Sequence, residues 1–261
     1  MMRNKDIIFG TRPVLEAIKS NKNIERIFIQ KNTNRDIIEE IKTLGKKFKL
    51  NISIVPKEKL NRITRKNHQG IICYISPISY QPIDEIVLRC YEKGKDPIII
   101  ILDKITDTRN LGSISRVAEA VEADAIVIPK KGSALITSDA IKTSAGALNY
   151  VPVCKVESLS YICKTLKKSG LKIISCTEKG EELVYDLDYN CPLAIILGSE
   201  KNGISKNLLE LSDHKIKIPM YGKIDSLNVS NSTSIILYEI IRQRLFWFKT
   251  SIVRAASYFF A

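Results

Sequence analysis

Hydrophobic positions along the first third of this chain switch between two periods. Val14, Leu15, Ala17 and Ile18, then Ile37, Ile38, Ile41 and Leu44, recur at helical spacing, whereas 26–29, 52–55 and 70–75 are short apolar runs of strand type. Thr11 stands where it could cap the first helix, with Pro13 in its first turn. A further short helix is expected over 56–63. Residues 1–76 therefore predict a small α/β unit. Residues 76–82 carry Pro77 and Pro82 and no periodicity, which reads as a linker. A helix over 83–94 leads onward, so 77–95 is expected to join two domains.

The second part opens with the uninterrupted apolar run 97–102, which suits a strand buried on both faces of a parallel sheet. A helix over 109–123, a strand over 125–128, a helix over 138–148, a strand over 151–156 and a helix over 158–168 follow. Strands over 171–175 and 193–197, a helix over 206–211, a strand over 215–218 and a long helix from about Val229 complete the pattern. Such alternation argues for a parallel sheet with helices on both faces, here placed within 96–250. Residues 251–261 are apolar and aromatic apart from Arg254 and form an unassigned tail, expected at most to pack back onto the fold. No internal repeat or low-complexity tract interrupts the chain.

Charge adds a partner to this picture. The 261 residues carry a net charge of +13, and residues 1–95 hold 20 Lys and Arg against 10 Asp and Glu. The positive excess thus sits mainly on the first unit, as a polyanionic partner would require. Arg62, Arg65 and Lys66, interleaved with Asn61, Thr64 and Asn67, form the best candidate patch, although a solvated charge run reads the same way. The six cysteines include no C-x-x-C pair and the chain has only two histidines, so zinc-type ligand spacing is absent and buried reduced thiols are expected. No apolar stretch approaches the roughly 18 residues of a membrane span, and the start lacks the apolar run of a secretory signal. A cytoplasmic protein is the expectation.

The dinucleotide, P-loop and G-x-S-x-G signatures are all missing. Chemistry is left to three polar loops, each following a strand, where open α/β sheets hold their ligands. The first runs Thr108-Arg109-Asn110-Leu111-Gly112-Ser113-Ile114-Ser115-Arg116. Its Gly112 could admit a ligand close to the backbone, but the segment also reads as plain helix initiation with Asn110 as cap. The second, Leu197-Gly198-Ser199-Glu200-Lys201-Asn202-Gly203, sets two glycines about a carboxylate, as an ordinary turn also could. The third runs from Ile218-Pro219-Met220 to Ser226-Leu227-Asn228-Val229-Ser230. It crowds hydroxyls and amides at the start of the last helix, where one cap would suffice.

In this order, the three loops resemble the motifs of the SpoU (TrmH) family of RNA 2'-O-ribose methyltransferases, within the SPOUT class. Phe9-Gly10-Thr11-Arg12-Pro13 and His68-Gln69-Gly70 resemble that family's substrate-binding domain. The resemblance implies an α/β catalytic domain with a deep trefoil knot at its C-terminal end, preceded by a domain of ribosomal-protein L30-like fold, and a homodimer. It implies S-adenosyl-L-methionine as cofactor, with no metal, held among Thr177, Leu197, Gly198, Gly203, Ile218, Met220 and Leu227. It places Asn110, Arg116, Glu200, Ser226 and Asn228 at the catalytic positions, and Arg12, with Arg62, Arg65 and Lys66, toward RNA. The presence of both domains points to a guanosine ribose of 23S rRNA as substrate. A tRNA guanosine remains an alternative, as does a non-catalytic RNA-binding or ribosome assembly factor.

Overall fold

The computed structural model describes residues 6–20, 22–31 and 33–259, with side chains described through residue 245. Two compact units emerge: residues up to Ser79 together with Leu135–Lys142, and Tyr80–Ala134 together with the chain from Thr143 onward.

In the first unit, β1 (Ile7–Phe9), α1 (Thr11–Lys19), β2 (Ile24–Gln30), α2 (Arg35–Lys47), β3 (Ile52–Val55), α3 (Lys57–Ile63) and β4 (Ile71–Ile75) follow one another. The strands form one sheet in the order β1-β4-β2-β3, with β4 antiparallel to β1 and β2, and β3 parallel to β2. Because side chains alternate across the pleat, Ile27, Ile29, Ile71 and Cys73 pack with Val14, Ile18 and Ile41 of α1 and α2. Phe28 and Ile72 face the other way and pack with Val55 and with Leu60 of α3. Three-residue β1 escaped the pattern because it is too short to show a period. Thr11 does not cap α1: Gly10 holds the cap position at φ +93°, and Gln69 Oε1 accepts from Thr11 N at 3.1 Å. Further along the chain, Asp6 accepts from Ser138 N and Oγ at 2.6 and 2.7 Å, so its carboxylate caps the segment that groups with this unit.

The second unit begins with α4 (Ile83–Glu92) and β5 (Ile98–Asp103), followed by α5 (Thr108–Ala120) and β6 (Ala125–Pro129). After α6 (Ser138–Thr143), whose residues through Lys142 belong to the first unit, come a 3-10 turn (Ala147–Asn149), β7 (Val153–Val156), α7 (Leu159–Lys168) and β8 (Lys172–Cys176). β9 (Glu182–Leu183), β10 (Leu193–Gly198), α8 (Lys206–Leu211), β11 (His214–Lys217) and α9 (Val229–Phe259) complete it. The sheet order is β7-β6-β5-β10-β8-β11-β9, and each pairing is parallel. All six residues of β5 are buried, as its unbroken apolar run requires. α4, α7 and α8 cover one face, where Ile86, Ile162 and Leu208 meet Ile99, Ile101 and Ile196. On the other face Thr233, Ile236 and Leu237 of α9 approach Ile100, Ile195 and Leu197.

The expected helix over 138–148 is broken in two. Ala145 (φ +51°) and Gly146 (φ +89°) turn left-handed, and a 3-10 turn follows. The helix expected to reach 123 ends at Ala120, with Glu122 at φ +53°. Among the described residues no helix is long and apolar enough to cross a membrane. The backbone of α9 continues through Phe259, whereas any packing of the tail 251–261 falls on side chains outside the described residues. Cys73, Cys90, Cys154 and Cys163 are buried free thiols, and Cys176 and Cys191 half-buried ones. Burial pushes Cys73 and Cys154 up to about 12, so neither is a ready nucleophile.

Candidate active site

Because β10 lies between β5 and β8, and β11 beyond β8, the loops that follow these strands open at one end of a parallel sheet. The loop after β5 is short. Asp107 caps α5, accepting from Arg109 N at 2.6 Å and Asn110 N at 3.3 Å. Asn110 is therefore not the cap, and its side-chain amide is left for other partners. Gly112 serves packing rather than a ligand: a Cβ there would lie 2.7–2.9 Å from Thr143, backbone included.

The loop after β10 is folded tightly on itself. Gly203 N donates to Ser199 O at 2.8 Å, Asn202 N donates to Ser199 Oγ at 3.2 Å, and Gly203 takes φ +59°. Buried Asp103, at the end of β5, accepts from Ser205 N at 2.7 Å and ties the loop down. Gly198 has no space for a side chain, since a Cβ there would sit 2.2 Å from the Gly203 carbonyl carbon. Gly180, after β8, is equally confined, its Cβ position lying 2.4 Å from Ile216. At Gly198 and Gly203, both of which line the cleft these loops enclose, backbone meets backbone.

At its rim three distant residues join. Asn110 Nδ2 donates to Glu200 Oε1 at 3.0 Å. Asn228 Nδ2 donates to Asn110 Oδ1 at 3.1 Å and to the same Glu200 oxygen. The other end of the Asn228 amide holds the start of α9, accepting from Ser230 N at 2.9 Å and from Ser230 Oγ at 2.6 Å. One asparagine thus caps a helix and positions a carboxylate. The polar crowding at the last helix has this physical use.

The cleft encloses roughly 670 Å³ of open space, mouth included. Thr177, Leu197, Gly198, Gly203, Ile218, Met220 and Leu227, the seven residues expected about the cofactor, all line it, and Ser226 does so too. Glu178, Asp225, Ser199, Ile204, Val229 and Ser232 also line it, although the sequence did not single them out as site residues. Their one common signal is position, within a few residues of a motif or a strand end. The charge of Glu178 adds to burial in pushing the Cys176 thiol up to about 12.

Arg116 stands apart from this group. It lies on the solvent face of α5, exposed, while Leu111, Ile114, Ser115 and Ala118 are buried. It neither lines the cleft nor joins the Asn110–Glu200–Asn228 trio. The four cations expected to meet RNA lie on the first unit, all exposed. There, His68 is not a ligand but a buried brace: Gly70 N donates to its Nδ1 at 3.0 Å, and its Nε2 meets Asn61 Oδ1 of α3 at 2.9 Å. Lys66 lies 5.9 Å from the centre of the Phe9 ring, and Gln69 holds the start of α1. The loop that carries Arg65 and Lys66 is thereby fixed beside the helix that carries Arg12.

Residues 97–238 match the SpoU rRNA Methylase family, and residues 7–81 match the RNA 2'-O ribose methyltransferase substrate binding family. A Bacillus subtilis protein named for the TrmH family of tRNA/rRNA methyltransferases, YacO, is 33% identical over 244 residues, 94% of this chain and 98% of that protein. Among solved structures, the SpoU methyltransferase AviRb from Streptomyces viridochromogenes, in complex with the cofactor AdoMet, is similar with a TM-score of 0.59 and 22% identity. That likeness covers 92% of this chain and 90% of the other, and establishes the fold. The TrmH/SpoU tRNA modifying enzyme of A. aeolicus is similar with a TM-score of 0.54 and 29% identity, over 65% of this chain and 87% of its own.

Proposed function

The chain belongs to the SpoU rRNA methylase family, and from that premise we propose that it methylates the 2'-oxygen of a guanosine ribose in 23S rRNA, using S-adenosyl-L-methionine. RNA 2'-O-ribose methyl transfer is the coarser statement that membership carries. The observation that supports the site assignment is the Asn110–Glu200–Asn228 trio at the rim of a cleft lined by Gly198 and Gly203.

The cleft fits the cofactor. Its glycine-confined backbone and apolar Leu197, Ile218, Met220 and Leu227 suit a flat heterocycle, while Thr177, Ser226 and the loop carboxylates suit a polar tail. When bound, the cofactor supplies a methyl group already activated on a sulfonium. The protein's part is then to align the ribose oxygen and stabilise the charge that develops on it. Arg116 has an exposed fork of donors, and a guanidinium stays protonated. Because it lies outside the cleft of its own chain, it serves this step from a second copy in the homodimer of this reading, holding a backbone phosphate and the nascent alkoxide, and proton removal falls to phosphate or water. Asn110 and Glu200 orient the incoming RNA, and Asn228 fixes both against the start of α9. Arg12, Arg62, Arg65 and Lys66 supply sequence-independent phosphate attraction.

We include a homodimer in this reading. Tyr221 is 95% exposed and Ile224 72% exposed on the loop that closes the cleft, and such apolar exposure beside a site suits a second copy. We also propose a cytoplasmic location. We favour ribosomal RNA because residues 97–238 match a family named for rRNA methylation, whereas the relative that spans the chain is named for tRNA and rRNA alike. Transfer of a tritiated methyl group to unmodified 23S rRNA and to bulk tRNA, side by side, tests the assignment. Label at a ribose 2'-oxygen of 23S rRNA is expected. Label in tRNA alone moves the substrate, and no label together with no cofactor binding overturns the reading.

A further inference from the structure

The cleft has a one-sided charge. Three carboxylates line it, those of Glu178, Glu200 and Asp225, and among the described residues no Lys, Arg or His does. Lys179, Lys201 and Lys223 stand near them in sequence, yet none of the three lines the cleft. Glu200 is engaged by the amides of Asn110 and Asn228. The carboxylates of Glu178 and Asp225 are not engaged in this way, and neither is joined by a hydrogen bond or an ion pair to another described residue. The field of Glu178 reaches inward, because it acts on Cys176 at the end of β8.

We propose that Glu178 and Asp225 make this cleft discriminate between cofactor and spent cofactor by charge, favouring the sulfonium of S-adenosyl-L-methionine over the thioether of S-adenosylhomocysteine. The inference rests on the cofactor reading above. The two ligands share adenosine and a zwitterionic amino-acid tail, and differ by one methyl group and one positive charge. Any field at the shared parts cancels in the ratio of their affinities. What remains is attraction between the sulfonium and the cleft carboxylates, which ends when the methyl group leaves. Methyl transfer then weakens the hold on the product and frees the cleft for the next cofactor.

Isothermal titration of each ligand into the full chain, without RNA, tests this in wild type, Glu178→Gln and Asp225→Asn. Both substitutions keep side-chain size and remove one charge. Wild type is expected to bind S-adenosylmethionine more tightly than S-adenosylhomocysteine. Each substitution should narrow that ratio by about two- to tenfold, the scale of one unit charge at several ångströms near a protein surface. Salt should narrow it too in wild type, because the cleft is open to solvent. A ratio that stays fixed in both variants and across salt overturns the inference while leaving the cofactor reading intact. Failure of wild type to bind either ligand overturns both.

Discussion

Asn110 and Asn228, 118 residues apart, are joined by a 3.1 Å hydrogen bond from Asn228 Nδ2 to Asn110 Oδ1, and both donate to one oxygen of Glu200. Asn228 also holds the first turn of α9 through Ser230. Cap and site are therefore one residue, and the two duties can be separated. Asn228→Asp keeps an acceptor for Ser230 N but sets a second carboxylate against Glu200. Asn228→Ala loses both functions. We expect Asn228→Asp to retain nearly the wild-type melting temperature, and Asn228→Ala to cost about 1 kcal/mol of stability. Methyl transfer should fall by more than about tenfold in both. Full activity in the aspartate variant would mean that the amide donor is idle.

Arg116 gives the sharpest test of mechanism. It is exposed and lies outside the cleft, so its removal should leave cofactor binding intact. Loss of a donor aimed at developing negative charge costs on the order of 100- to 1000-fold in turnover. Arg116→Ala should show that loss in single-turnover methyl transfer, with calorimetric cofactor affinity within about twofold of wild type. Arg116→Lys keeps the charge without the fork and should recover only part of the rate. Near-normal turnover in the alanine variant would remove Arg116 from the mechanism.

How far the sequence carried these assignments differs from element to element. β5 was legible because a strand buried on both faces shows as an unbroken apolar run, and α2 because Ile37, Ile38, Ile41 and Leu44 keep helical spacing. β1 and β9, of three and two residues, are too short to carry a period. Gly112 invited a ligand reading, but its bareness answers to Thr143, 31 positions away in sequence and close only in the fold. The α5 cap was misplaced because Asp107 and Asn110 are both competent caps, and backbone geometry alone chooses between them. The polar trio needed the motifs to be recognised together, since no spacing rule joins Asn110 to Asn228. The strand order that gathers their loops, with β10 between β5 and β8, has no local signal at all.

The cleft's shape depends on Gly198. A Cβ there would stand 2.2 Å from the Gly203 carbonyl carbon and 2.4 Å from Ile204 N, atoms of backbone that cannot swing aside. Gly198→Ala must open the 199–203 turn, with loss of cofactor affinity of at least about tenfold and a fall in stability of about 1–3 kcal/mol. Gly222→Ala is the control, because nothing lies within 4 Å of its Cβ position. It should leave affinity and melting temperature unchanged, so that parallel titrations of the two variants separate steric closure from loss of glycine flexibility.

Acid stability should depend in part on Glu239 of α9. Hydrogen bonds from Arg242 and Gln243, helped by the charge of Arg242, hold its carboxyl below the ordinary value despite burial. A depressed carboxyl stabilises the fold above the unfolded-state value, and that stabilisation disappears as pH falls through the folded-state value. Glu239→Gln should therefore melt below wild type at pH 7, with the gap closing below about pH 4. A gap of constant size across that range would assign the loss to packing and not to charge.

The basic loop of the first unit makes a prediction that is independent of the chemistry. Arg62, Arg65 and Lys66 are exposed, and the segment that carries them is braced by His68 against Asn61 and Gly70. Held in place, three cations can each displace a counterion from RNA. Replacing all three with alanine should lower the slope of log K against log salt by about 2–3, and weaken binding of unrelated RNA sequences alike. His68→Leu keeps all three charges but removes the brace. It should weaken binding at low salt while changing the slope by less than about 1, because the cations remain available from a looser loop. Equal slopes in wild type and the triple variant would remove this patch from the RNA interface. Equal slopes with reduced affinity in the His68 variant alone would show that geometry, and not charge number, is what this loop contributes.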